Sequence, residues 1–435
     1  MELVTAADNV EQQRRAASGL YRAGVRPADR IAVLLPPSGR MIALVLGALR
    51  TGVIPVVLDP RLVPRERAEL LADASPVRVV DSAAGLAELL AAPARAELAD
   101  APLGRPMHYT SGTTGRRKGV YSGVLSESDA AGLLAEEREL WELAADDVHL
   151  VLSPLHHSAP LRFAAGTLLS GGSVLLAGRF DPAVVLGWTG QLPTTTFCVP
   201  THLARLRAAA GGAVAPSLRG FRLVAHAGDA CQYDVKRWAV EAFPDESVYE
   251  FYGSTEGQFT VCTPADWRTH PGSVGRARPG RRLRIADDGT IWCAVPPYAR
   301  FSYWRDPEKT AQAWRGEEFT VGDAGRLDPD GYLYLDGRRH DLVITGGVNV
   351  YPLEVEKVLG QHPGVTEVAV FGVPDEEWGQ RLCAAYAGTA SADELARYAA
   401  AELSAAKRPK TYARVGALPR TSTGKIRRAD LSRLA

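Results

Sequence analysis

Lysine is scarce in this 435-residue chain. It occurs only at positions 118, 236, 309, 357, 407, 410 and 425, so positive charge is carried overwhelmingly by arginine. A lysine inside a Gly/Ser/Thr loop of such a chain is less readily an incidental solvated side chain, and Lys118 and Lys425 both sit in loops of that kind. Cysteine is sparse too. Cys198, Cys231, Cys262, Cys293 and Cys383 show no Cys-x-x-Cys spacing, which argues against zinc, redox and disulfide-framework readings and leaves them as small buried hydrophobes. Net charge is absent, with 50 acidic residues against 50 basic ones and no basic stripe, so nothing gathers nucleic acid or an anionic membrane. No apolar run reaches bilayer length, and residues 1–8 hold neither a positive nor an apolar leader region. The expectation is a cytoplasmic protein with no membrane and no nucleic-acid partner. Internal repeats and low-complexity tracts are missing as well. What remains is 46% hydrophobic and 23% charged residues, as in globular proteins, in a chain too long for one ordinary core.

Against that background residues 109–119, Tyr-Thr-Ser-Gly-Thr-Thr-Gly-Arg-Arg-Lys-Gly, stand out. Gly112 and Gly115 let backbone N–H groups approach anionic oxygens, Thr110, Ser111, Thr113 and Thr114 offer hydroxyl donors, and Lys118 adds a cation. This is the composition of a phosphate grip. It is not a P-loop, which needs Gly-x-x-x-x-Gly-Lys-Ser/Thr. Taken alone the segment could also be a polar turn between two strands.

The first eighty residues alternate helix-like stretches (9–24, 40–51, 64–74) with apolar runs (31–35, 54–58, 77–80), the pattern of a parallel sheet covered by helices. Residues 82–106 are rich in Ala and Pro without a clear strand. Apolar runs return at 148–152, 173–177, 195–199, 221–225 and 247–251, with helical stretches between them. From about 270 to 336, Asp287-Asp-Gly and Asp328-Pro-Asp-Gly punctuate short runs and suggest hairpins of a small β subdomain. A compact α+β unit follows, with a helix at 352–360, strands near 365–373 and 382–387, and a helix at 392–405. The fold class is therefore α/β: a large domain over 1–336 and a small domain over 337–435.

Further motifs follow the phosphate loop in a fixed order. They are Pro154-Leu-His-His-Ser-Ala-Pro160, Tyr252-Gly-Ser-Thr-Glu-Gly257, Phe319-Thr-Val-Gly-Asp323, Gly337-Arg-Arg-His-Asp341 with Gly346-Gly-Val-Asn-Val-Tyr-Pro, and Pro419-Arg-Thr-Ser-Thr-Gly-Lys425. Together they resemble the adenylate-forming superfamily of acyl-CoA synthetases, peptide-synthetase adenylation domains and luciferases, from about residue 10 onward. The resemblance implies that Thr110 to Lys118 close on the β- and γ-phosphates of ATP. It implies that Tyr252 stacks on adenine beside Gly228, Asp229 and Ala230, that Thr255 contacts the α-phosphate, and that Glu256 holds Mg²⁺. Asp323 matches the ribose-binding aspartate and Arg338 its supporting arginine, though Asp323 alone could simply form an Asx-turn. His157 matches the residue beside the substrate carboxylate. His156 replaces the usual tyrosine and reads as a packed histidine; a metal pair is disfavoured because neighbours on a strand point to opposite faces.

The same resemblance implies attack of a carboxylate on the α-phosphorus of ATP, with Lys425 delivered by a swing of the small domain about a pivot at His340. Gly346, Gly347 and Trp378 match the surroundings of a pantetheine tunnel, and so imply CoA as second substrate. Transfer to a carrier protein or an amine, activation of nitrite for diazotisation of an aryl amine, and a non-catalytic nucleotide-binding regulator are the alternatives. A homodimer is admissible. Compared with the family pattern, the region before the phosphate loop is shortened at its start and around 82–106, and Arg117 replaces the usual proline and is expected to be solvated.

Overall fold

The computed structural model describes residues 1–110, 117–188, 193–338, 341–345, 348–376, 378–420 and 426–434, the side chains of Arg338, Asn349 and Ala429 excepted. The later apolar runs become five strands of a six-stranded sheet, joined by the unforeseen edge strand Glu2–Thr5, in the order Glu2–Thr5, Ser173–Leu176, Val148–Val151, Thr195–Cys198, Leu223–His226, Val248–Glu250. All neighbours are parallel except the first, which pairs antiparallel with Ser173–Leu176. Five of these strands are buried or nearly so along their whole length, which is why their sequences read as continuous apolar runs rather than alternating ones.

A second sheet carries the parallel strands Ile54–Val57, Arg30–Val33 and Arg78–Val80. The helix Gly39–Leu49 is apolar on nearly every side because it is buried in the core. It approaches the helix Ala6–Arg22 so closely that a Cβ at Gly47 would stand 2.5 Å from the Gln13 carbonyl oxygen. The alanine-rich stretch after Ser82 contains no strand, as expected, but does hold a helix, Ala83–Leu90, capped by the Ser82 hydroxyl. Antiparallel hairpins, including Arg282–Ile285 with Ile291–Ala294 and Asp323–Leu327 with Leu333–Arg338, make up the small β region. Beyond it, Gly379–Gly388 is the central strand of a five-stranded sheet, with the long strand Val365–Asp375 along one edge, backed by Pro352–Leu359 and Ala392–Glu402 around a separate apolar core.

Cys198, Cys262, Cys293 and Cys383 are buried as expected, whereas Cys231 is half-buried. No helix among the described residues is long and apolar enough to cross a membrane.

His149 lies in the middle of the Val148–Val151 strand, its Nδ1 2.9 Å from the Thr195 hydroxyl and its ring stacked on Phe163. Burial pushes its pKa down to about 3. Between that value and the ordinary 6.5 the unfolded chain binds a proton that the folded one does not, so this site stabilises the fold above pH 6.5 and loses that contribution as pH falls. Denaturant titrations of wild type and His149→Asn at pH 7 and pH 5 should show the variant losing about 2 kcal/mol less than wild type over that interval. Equal losses would mean that His149 does not titrate in this way.

Candidate active site

The 154–160 and 252–257 motifs and the 228–230 segment follow the carboxyl ends of parallel strands, where open α/β sheets present their ligand sites, whereas the phosphate loop and Asp323 adjoin antiparallel strands. Strand Leu223–His226 runs into Gly228, whose φ of +97° suits glycine, and then into the exposed Asp229 and Ala230. The neighbouring strand Val248–Glu250 runs into Tyr252, so the two segments leave the sheet side by side. Tyr252 packs on Phe259, with ring centroids 4.7 Å apart, and its hydroxyl donates to Asp323 Oδ2 at 2.6 Å. Asp323 begins a strand and accepts this bond, which replaces the Asx-turn alternative with a tie between the two motifs. Its cross-strand partner in the register is Arg338.

Residues 253–258 form a tight hairpin: Gly253 bridges Gln258, and the Ser254 N–H donates to the Gly257 carbonyl at 2.8 Å. Thr255 and Glu256 lie in its turn, Thr255 half-buried and Glu256 buried. Glu256 Oε1 accepts from the Tyr303 hydroxyl at 2.9 Å. Its backbone carbonyl accepts from Arg105 Nη1 at 3.1 Å, and Arg105 Nη2 reaches the carbonyls of Ala299 and Arg300. Burial, with Arg281 next in effect, lowers the Arg105 pKa to about 10, so the guanidinium stays charged at neutral pH.

Lys118 sits on the strand Lys118–Tyr121, opposite Thr110, with its Nζ 4.9 Å from the centre of the Tyr303 ring. Tyr303 thus stands between the loop lysine and the hairpin carboxylate. The Lys118 pKa is lowered by burial and by the neighbouring ammonium of Lys309, while Glu256 and Asp306 oppose the shift. Lys118 and Lys309 face one cavity of about 350 Å³, whose wall also carries Arg117 and Arg305 and the carboxylates of Asp73, Asp306 and Glu308. Arg117 is not simply solvated: Nη2 pairs with Glu66 Oε1 at 2.8 Å, although both side chains remain partly exposed.

His157 occupies the N-cap position of the helix Ser158–Leu169. The pair His156–His157 lies in a turn rather than on a strand, and the rings approach to 4.2 Å, so the opposite-faces argument against a metal does not apply. His156 instead packs toward Asp59, with Nε2 3.7 Å from Oδ2, and burial lowers its pKa despite that carboxylate. Its backbone carbonyl accepts from His108 Nδ1 at 3.0 Å. No group of three or more potential metal-binding side chains forms among the described residues.

On the small unit, Trp378 is 36% exposed between the two long strands and the Lys410 ammonium lies 4.5 Å from its ring centre. Ser111, Gly112, Thr113, Thr114, Gly115, His340, Gly346, Gly347 and Lys425, and the Arg338 side chain, lie outside the described residues. Arg105, Tyr303 and Lys309 are site residues that motif reading passes over. The one available signal was Lys309, a rare lysine close to a Tyr-Trp-Arg-Asp-Pro segment.

The candidate site thus holds an aromatic ring, a half-buried aspartate, a hairpin glutamate and two neighbouring lysines, and comparison with known proteins gives the family in which it stands. The sequence profile of the AMP-binding enzyme family matches residues 2–103 and 106–293, and that of the AMP-binding enzyme C-terminal domain matches 354–425. A feruloyl-CoA synthase from an Amycolatopsis species is 32% identical over 473 positions, covering 99% of this chain and 94% of that protein. Those aligned positions outnumber the residues of this chain, so the relative carries segments that this chain lacks. The 2-succinylbenzoate–CoA ligase of Listeria monocytogenes is 30% identical, covering 97% of this chain and 92% of its own length. Among solved structures, ATP-bound MatB from Rhodopseudomonas palustris superposes with a TM-score of 0.86 at 29% identity, covering 99% of this chain and 93% of that one. With both profiles matched over most of its length, the chain belongs to the AMP-binding enzyme family.

Proposed function

We propose that this enzyme activates a carboxylic acid as an acyl adenylate and passes the acyl group to the thiol of CoA. The observation that carries the reading is the continuous chain Asp323–Tyr252 and Glu256–Tyr303–Lys118, which joins a nucleoside-binding end to a phosphate-binding end across one hairpin. Tyr252 and the Gly228–Ala230 segment flank the adenine, and Asp323 accepts from the ribose hydroxyls. Lys118, Lys309 and the 111–115 loop take the β- and γ-phosphates. Glu256 suits Mg²⁺, because that ion is ordinarily held by one or two carboxylates plus phosphate oxygens rather than by an all-protein cage. When bound, the ion neutralises charge on the transferring phosphate.

In the first half-reaction the substrate carboxylate oxygen, held near His157, attacks the α-phosphorus and the bond to the bridging oxygen breaks, releasing pyrophosphate. In the second, the CoA sulfur attacks the acyl carbon, loses its proton, and AMP leaves. No covalent protein nucleophile is needed; the residues position the reactants and stabilise charge. Residues 337–435 act as the moving unit, with Lys425 serving the first step and Trp378 with Gly346 and Gly347 lining the thiol's approach in the second. The relatives named as CoA ligases support the thiol acceptor over a carrier protein, an amine or nitrite.

The test is product analysis with a panel of acids. One AMP and one pyrophosphate should form per acid consumed, with CoA required for sustained turnover and acyl-CoA as the product. Stoichiometric ADP would overturn the adenylation step. Turnover sustained by a carrier protein, an amine or nitrite but not by CoA would overturn the acceptor.

A further inference from the structure

Beneath the 253–258 hairpin lies a buried ionic cluster for which the proposed reaction has no use. Glu137, on the helix Glu127–Trp141, is its hub. Its Oε1 accepts from Arg278 Nη1 and from Gln258 Nε2, each at 3.1 Å, and its Oε2 accepts from the Trp141 indole at 3.1 Å. Arg281 pairs with the adjacent Glu136 at 3.0 Å, and Arg278 also approaches that carboxylate at 3.6 Å.

Arg162 is the member whose needs are not met. Its Nε lies 3.2 Å from Glu137 Oε2, but neither Nε nor Nη2 makes a hydrogen bond among the described residues, and both atoms are shut off from solvent. The Gln258 carbonyl oxygen and the Ser254 hydroxyl, both on the motif hairpin, are likewise buried without partners. Burial lowers the Arg162 pKa, with Glu137 opposing the shift. A guanidinium with two shielded nitrogens that make no hydrogen bond, one of them beside a carboxylate but out of hydrogen-bond geometry, calls for an explanation.

Placement and charge give that function a direction. Arg162 lies one turn into the helix that begins just after His157, and its guanidinium carbon stands 5.4 Å from the Phe163 ring centre and 5.5 Å from that of Phe251, the residue before Tyr252. Arg105, which holds the Glu256 carbonyl, is within electrostatic reach of it. The group therefore lies beside the place where the acid is to be held. Among the described residues, four guanidiniums (Arg105, Arg162, Arg278, Arg281) gather with the three carboxylates of Glu136, Glu137 and Glu256, and Arg105 spends its hydrogen bonds on neutral carbonyls. One positive charge is left over. It is larger still once Glu256 is committed to a metal.

We propose that the acid this enzyme activates bears a second anionic group, a carboxylate distant from the one adenylated, and that Arg162 receives it through its guanidinium fork. The inference rests on the acid-activation reading and narrows it to dicarboxylic acids. A planar fork with free nitrogens fits a carboxylate bidentately, whereas a neutral amide of the same shape offers one acceptor oxygen and no charge. Glu137 then works as the brace that holds the fork, and Arg162 as a specificity-determining residue.

The experiment compares matched acids: benzene-1,3-dicarboxylate with 3-carbamoylbenzoate, and glutarate with its monoamide. Pyrophosphate release gives kcat/KM, and calorimetry gives the Kd of the corresponding acyl-sulfamoyl adenosines, which bind without turnover. In at least one series the dianion should be favoured over its amide twin by about 10- to 100-fold, as expected for charge-assisted bonds. Arg162→Gln should collapse that ratio toward one, and Arg162→Lys should retain part of it. A purely structural Arg162 would lower both members of a pair alike and leave the ratio standing, which overturns the proposal. Equal kcat/KM for dianion and amide in both wild-type series also overturns it, while leaving acid activation intact. Should no acid release pyrophosphate, acid activation itself fails, and the Kd ratio still decides the role of Arg162. Melting temperatures of both variants separate loss of recognition from loss of fold.

Discussion

Replacing Lys425 with alanine is expected to slow adenylate formation by about 100- to 1,000-fold or more, the scale seen when a charged or hydrogen-bonding transition-state contact is removed. In the proposed reaction the α-phosphorus becomes five-coordinate as the carboxylate oxygen arrives, and an ammonium that met it only in that step would lower the barrier without tightening ground-state binding. The segment carrying Lys425 is anchored at both ends: Arg420 bridges Ile426, the Arg427 N–H donates to the Pro419 carbonyl at 2.8 Å, and Arg420 pairs with Glu367 at 2.7 Å. The C-terminal family match runs to this same lysine. Thioester formation from a supplied acyl adenylate and CoA should keep most of its rate, because the role proposed for the lysine ends with the first half-reaction. Stopped-flow assays of the two half-reactions separate the cases. A loss of equal size in both would show a misfolded variant or a wrongly assigned residue.

What could be read in the sequence was whatever local patterning controls. The buried parallel strands were visible as apolar runs because both faces are covered, and the motif residues were visible because glycines, hydroxyls and rare lysines cluster in short segments. The helix Ala83–Leu90 was hidden although Leu86, Leu89 and Leu90 carry helical spacing, since the many alanines around them flatten the contrast between faces. The strand Glu2–Thr5 was hidden for a different reason: four residues at a sheet edge gain their structure from pairing with Ser173–Leu176, far along the chain. The strand geometry assumed for His156 and His157 failed because Pro154 and the helix start at Ser158 leave only a turn between them. Arg105 and Tyr303 were beyond reach altogether. Neither lies in a phosphate or nucleoside motif, and each meets Glu256 only because the fold closes a long loop in the chain.

Glu256 is the residue on which those long-range contacts converge, and Glu256→Gln is expected to cost about 100-fold or more in kcat of adenylation, since a metal's charge stabilisation is worth several kcal/mol in a phosphoryl-transfer site. The substitution keeps shape and the Arg105 bond to the backbone carbonyl, so the fold around the hairpin should persist. What it removes is the anionic oxygen. The Mg²⁺ concentration for half-maximal rate should therefore rise along with the fall in kcat. Tyr303→Phe tests the same carboxylate from the other side: it deletes the donor at 2.9 Å but leaves the ring that Lys118 covers. Its effect should be about 10-fold, in line with one hydrogen bond to a charged group. Because both substitutions act through one oxygen, the double variant should be little worse than Glu256→Gln alone, whereas independent effects would multiply. If Glu256→Gln lowered the rate with no change in Mg²⁺ dependence, the carboxylate would be acting as the counter-charge to Lys118 rather than as the metal's ligand, and the metal would have to be held by the phosphates alone.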